Sequence, residues 1–98
     1  MTNPASASLD IVHNAAAQRF EVRVEGWLCR CDYRQVDGEL HLVHTAVPPL
    51  LEGRGIAARL VEAALDHAEQ AGLRVRPRCS YVHSYLRRHP ERAHLQAD

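Results

Sequence analysis

The sequence predicts an α/β fold in which a mainly antiparallel sheet of about five strands carries one long and one short helix. Three observations lead there. Apolar and polar residues alternate through most of residues 9–47, the period of half-buried strands. Residues 55–71 carry an apolar stripe at spacings of three and four, the period of an amphipathic helix. A short alternating stretch, Leu73 to Arg78, follows that helix as a strand, and a strand reached through a single helix lies parallel to the strand before it. A chain of 98 residues has room for one domain. That domain is expected over 9–95, behind a disordered leader at 1–8.

In chain order, residues 9–13 form a first short strand and 14–18 a turn. Phe20, Val22 and Val24 alternate with Glu21, Arg23 and Glu25. After Gly26, the set Trp27, Cys29, Cys31 and Tyr33 alternates with Arg30, Asp32 and Arg34. Asp37-Gly38 is a hairpin signal, because both positions tolerate positive φ. The strand over 39–47 differs from the others. It has Leu40 and Leu42 on one face and Val43 and Val47 on the other, as expected of a central strand covered on both sides. Pro48-Pro49 ends it. The long helix has Ile56, Leu60, Ala64 and Ala68 on its apolar stripe, and Gly72 suits its C-terminal cap. A second helix is expected from Ser80 to about His89, where Pro90 stops it.

Composition narrows the function. Twelve basic residues balance twelve acidic ones, which argues against a general nucleic-acid binder. All twelve basic residues are Arg, so no lysine is available for Schiff-base chemistry or a nucleotide-phosphate loop. No apolar run approaches the ~20 residues that span a bilayer, and no membrane role is expected. The first residues lack the basic and apolar regions of a signal peptide. The three cysteines are an odd number, and Cys29 and Cys31 are placed in the core. Reduced thiols in a cytoplasmic protein are the simplest reading. No metal site is expected from the seven histidines: His41 and His44, three apart on a strand, should face opposite ways, and His83 and His89 lie on different sides of a helix.

The chemistry concentrates in Gly53-Arg54-Gly55-Ile56-Ala57, between the central strand and the long helix. Glycines allow a tight turn and close approach of a ligand to the backbone. The helix start supplies free N–H groups and a positive dipole end, together suited to a pyrophosphate. Arg54 and Arg59 can add charge-assisted contacts. The spacing Gly53-x-Gly55-x-x-Ala58 also fits a dinucleotide fingerprint, but the antiparallel strands before it do not. An ordinary glycine turn capping a helix is the bland alternative. Cys79, just before the second helix, is either a nucleophile placed at a helix N-terminus or a small packed apolar residue.

Residues 38–90 resemble the core of the GCN5-related N-acetyltransferases, in particular their very small one-domain group. The resemblance rests on Gly53-Arg54-Gly55 at the loop, on His44-Thr45-x-Val47-Pro48 before it, on Pro77-x-Cys79 after the helix, and on Tyr85-Leu86-Arg87-Arg88-His89-Pro90. Residues 20–36 fit the opening hairpin. Leu50 and Glu52 depart from the polar and Arg residues usual in that loop, and the two helices that larger members insert early are missing.

The resemblance implies acetyl-coenzyme A as co-substrate and an unknown amine as acceptor. Val47, Gly53, Arg54, Gly55, Ile56, Ala57 and Arg59 would hold the cofactor. Cys79, Tyr85 and His44 would carry the chemistry: Cys79 as a nucleophile, Tyr85 as proton donor to the departing thiolate, and His44 as base. Tyr81 is a second candidate donor, and His83 a candidate partner for Cys79. A coenzyme A-binding module that contacts a protein partner without catalysis is the alternative.

Overall fold

The computed structural model describes residues 9–97, so the leader expected at 1–8 lies outside the described residues. Five strands form one sheet in sequence order: β1 (Val12–Asn14), β2 (Arg19–Val24), β3 (Trp27–Val36), β4 (Glu39–Ala46) and β5 (Arg74–Pro77). The first four pair antiparallel, and β5 joins β4 in parallel. Helix α1 (Ile56–Ala71) makes the β4–β5 crossover, and helix α2 (Ser80–Arg88) follows β5. A 3-10 segment, Pro90–Leu95, closes the fold. Three strand ends differ from expectation. The first strand starts at Val12 instead of residue 9, because only Val12–Asn14 find partners across the turn on β2. The central strand ends at Ala46, and the last is trimmed to Arg74–Pro77.

Each element follows from its sequence. Asp37 and Gly38 take φ of 48° and 80°, the two-residue turn whose twist matches antiparallel strands. Helix α1 buries Leu60, Val61, Ala64, Leu65 and Ala68 completely and ends on Gly72, whose N–H bonds back to Glu69. Truncating Leu60 or Leu65 to Ala should cost ~2–5 kcal/mol, because a fully packed site relaxes little around a cavity. The helices meet the sheet on the face that carries Phe20, Val22, Cys29, Cys31, Leu40, Leu42 and Val75. Every buried strand residue stands on that face.

The opposite face is polar, which corrects the expectation that the central strand is covered on both sides. The cause is a β-bulge. Tyr33 pairs with Leu42 but Asp32 pairs with His44, leaving Val43 as an extra residue in β4. A bulge shifts the inward set by one. Leu40 and Leu42 point inward before it; Thr45, opposite Cys31, does so after it. Val47 turns with them. His41 pairs with Arg34 and His44 with Asp32, so both histidines stand on the polar face and not on opposite faces.

Parallel pairing of β4 with β5 stops early. Leu42 and Pro77 are the last partners, and the Arg78 N–H closes the ladder on the Leu42 carbonyl at 2.9 Å. Pro77, lacking an N–H, suits the place where the strands part. Beyond it, β4 runs on to Ala46 with no strand partner on that side among the described residues. The C-terminal tail contributes more than its sequence suggests. Leu95 enters the core, and the Ala97 N–H bonds the Val75 carbonyl at 2.7 Å.

Candidate functional site

The loop between β4 and α1 is anchored before it becomes open. Pro48 and Pro49 stop the strand, and the 3-10 turn Pro49–Leu51 drops Leu51 into the core with no exposure. Gly53 and Gly55 follow with φ of 84° and 78°, and no atom lies within 4 Å of where a Cβ on either would stand. Both therefore adopt a conformation costly to other residues, with the space beside them open. The Arg59 N–H bonds the Gly55 carbonyl at 3.1 Å, the first helical turn. The N–H groups inside that turn have no intrahelical acceptor, and no side chain caps them. Such a helix start attracts an anion.

These groups border a cavity of about 410 Å³ whose wall includes Thr45, Val47, Gly53, Gly55, Ala57 and Tyr81. Next to Thr45 lies a thiol: Thr45 Oγ1 and Cys79 Sγ are 3.5 Å apart. Cys79 is half-buried and occupies the N-cap of α2 in extended conformation. On the neighbouring strand, opposite Thr45, burial pushes the Cys31 thiol up to about 12. Cys31 is thereby held as a neutral thiol. Burial also raises the Tyr81 phenol, so Tyr81 keeps its proton at neutral pH.

The expected residues divide. Val47, Gly53, Gly55, Ile56 and Ala57 line the cavity, and Cys79 adjoins it through Thr45. The two arginines are exposed and already engaged. Arg54 donates to Glu25 Oε2 at 2.5 Å, and Arg59 pairs with Glu62 at 3.6 Å. Tyr85 is not at the cavity wall. It is buried, stacks on His89 with ring centroids 4.0 Å apart, and donates its hydroxyl to Glu62 Oε2 at 2.9 Å. Burial, with that carboxylate, raises its phenol. His44 is exposed on the polar face. His83 is exposed too; its backbone N–H bonds the Cys79 carbonyl, while the thiol's side-chain neighbour is Thr45.

Thr45, Leu51, Glu52 and Ala58 are wall residues that the sequence did not single out for the cofactor, and of the two tyrosines of α2 it is Tyr81, the second candidate, that lines the wall. Thr45 stands inside a quoted motif, but simple alternation points it to the wrong face. Among the described residues, no group of three or more His, Cys, Asp or Glu is placed to hold a metal. No helix there is long and apolar enough to cross a membrane.

Known proteins resemble this chain over nearly its whole length. Residues 19–95 match the family model described as GCN5-related N-acetyl-transferase. A Xenopus tropicalis protein named NATD1 is 32% identical over 94 residues, spanning 93% of this chain and 86% of its own. The human protein of that name is 33% identical over 89 residues, spanning 88% of this chain and 79% of its own. Among solved structures, the NMR structure of a GCN5-like protein from Staphylococcus aureus superposes with a TM-score of 0.73 at 26% identity, covering 93% of this chain and 90% of that one.

Proposed function

The chain belongs to the GCN5-related N-acetyltransferase family, and on that premise we propose that it moves an acetyl group from acetyl-coenzyme A to an amine. The observation that carries this reading is the cavity itself. One wall is an uncapped helix start behind Gly53 and Gly55; the other is the stretch of β4 that has lost its neighbour.

The residues fit the donor. The open positions at Gly53 and Gly55 leave room for a pyrophosphate against the N–H groups of Ile56 and Ala57. Backbone groups are the main donors in this scheme, since Arg54 and Arg59 must exchange carboxylate partners before they can help. The donor supplies a thioester, an acyl group already activated. Past Leu42 the free edge of β4 offers backbone N–H groups to a carbonyl, the kind of stabilisation worth most where charge develops.

Tyr81 is then the group that gives a proton to the departing thiolate. Cys79 offers a covalent route. Its sulfur attacks the thioester carbonyl and breaks the acyl bond to coenzyme A, which leaves as the thiol with the proton that Cys79 gave up. The acceptor amine then attacks the acyl-Cys79 carbonyl, forming the amide as its proton passes to the released Cys79 sulfur. In direct transfer the amine attacks without this step. His44 could serve as base only for an acceptor arriving from the polar face. Three free thiols suit a reducing compartment such as the cytoplasm.

The test is ligand-dependent melting. A ligand at about one hundred times its Kd adds ~2.7 kcal/mol to the native state, which is roughly 10 °C or more for a domain of this size. No shift with coenzyme A at millimolar concentration would remove the reading.

A further inference from the structure

Trp27 is the only tryptophan of the chain, and it is half exposed, at 51%. An indole is a large apolar surface to leave in water. It opens β3 opposite Val24 and shares the face of Val22 and Cys29, the face that carries the helices. Trp27 is therefore on the same side of the sheet as the glycine loop.

A second observation ties it to that loop. The turn before Trp27 contains Glu25, and Glu25 accepts the 2.5 Å hydrogen bond from Arg54, the residue between the two loop glycines. Both partners are exposed, at 57% and 40% for the side chains. An ion pair in that setting contributes little to stability, but it shows that the β2–β3 turn, and with it the indole, stands beside the loop. A ligand whose phosphates sit on the helix start and whose far end is a flat base would meet an aromatic surface there.

We propose that Trp27 is a stacking platform for the adenine ring of coenzyme A, set beside the phosphate cradle. This rests on the reading that the loop binds coenzyme A. Every base has a π face, so stacking of this kind needs no hydrogen-bond partner and tolerates an exposed site.

Because Trp27 is the sole tryptophan, its fluorescence reports on the proposal directly. The parent protein and Trp27→Ala and Trp27→Phe variants are titrated with coenzyme A and with 4′-phosphopantetheine, which lacks the 3′-phospho-AMP half and with it the adenine. Tryptophan fluorescence and thermal shift are read for the parent, and thermal shift alone for the variants. Coenzyme A should quench the parent and phosphopantetheine should not. Trp27→Ala should weaken coenzyme A by about fivefold or more, the low end of base stacking on an aromatic. Its affinity for phosphopantetheine should not change, and Trp27→Phe should restore part of the loss. Equal loss for both ligands would mark a structural defect and overturn the proposal. Unaltered coenzyme A affinity in Trp27→Ala, with a thermal shift retained, would overturn it while leaving the functional reading intact. No shift in the parent would overturn both.

Discussion

Cys79 Sγ lies 3.5 Å from Thr45 Oγ1, where β4 and β5 have stopped pairing. The contact depends on the bulge at Val43. In an unbroken strand Thr45 would face the polar side, and His44 would point at the helices instead. One extra residue thus decides which side chain meets the thiol.

This placement predicts covalent chemistry at one cysteine. Intact mass measured after mixing with acetyl-coenzyme A should show a single acetyl adduct, absent in Cys79→Ala. Cys31, held neutral by burial, and Cys29, fully buried, should stay unmodified. An adduct on either would contradict the packing described here. Full turnover in Cys79→Ala would assign direct transfer.

The two tyrosines of α2 should separate cleanly. Tyr81→Phe removes the phenol at the cavity, and general acid catalysis is worth ~10²–10⁴-fold, so kcat should fall in that range with donor KM held. Tyr85→Phe should keep its rate and lose about 1 kcal/mol of stability, the worth of a partly exposed hydrogen bond to Glu62. A rate loss confined to Tyr85→Phe would return the donor role to Tyr85.

Gly55→Val should disturb both fold and site. The residue sits at a φ of 78°, which costs a side-chain-bearing residue roughly 1–2 kcal/mol, more for a β-branched one. The added methyls also enter the space open to a ligand. The variant should melt below the parent and show no coenzyme A shift. A retained shift would mean that the ligand does not approach the backbone here.

Stability should respond to acid through Glu39. Arg76 grips its carboxylate at 2.9 and 3.0 Å, and His41 adds a third contact at 2.9 Å. The Arg76 bonds first, then His41, lower it from 4.5 to about 2. A carboxylate depressed in the folded state binds protons more readily when unfolded. Its contribution is complete above pH 4.5 and is lost as pH falls toward 2. In thermal melts, the parent should exceed Glu39→Gln most above pH 4.5, with the gap closing below it. A gap independent of pH would contradict this.

Much of the architecture is written in periodicity. The alternation around Phe20, Cys29 and Leu40 and the stripe from Ile56 to Ala68 place strands and helix, because burial on one face imposes those periods. The Asp37-Gly38 turn is legible because few residues accept its φ values. The glycine loop is legible for the same reason. The bulge is not, since Val43 is an ordinary strand residue between Leu42 and His44 and nothing local marks it as extra. The consequences for Thr45, Val47 and His44 are hidden with it. The setting of Tyr85 is hidden for another reason: its hydroxyl bonds Glu62, a partner 23 residues away that no local pattern reveals.

Release of free thiol from acetyl-coenzyme A in the presence of pooled primary amines tests the central claim most directly. The account predicts release that requires both the protein and an amine, that saturates with donor, and that falls in Tyr81→Phe. Coenzyme A that raises the melting temperature while no amine in the pool provokes thiol release would contradict catalysis and leave a binding module in its place.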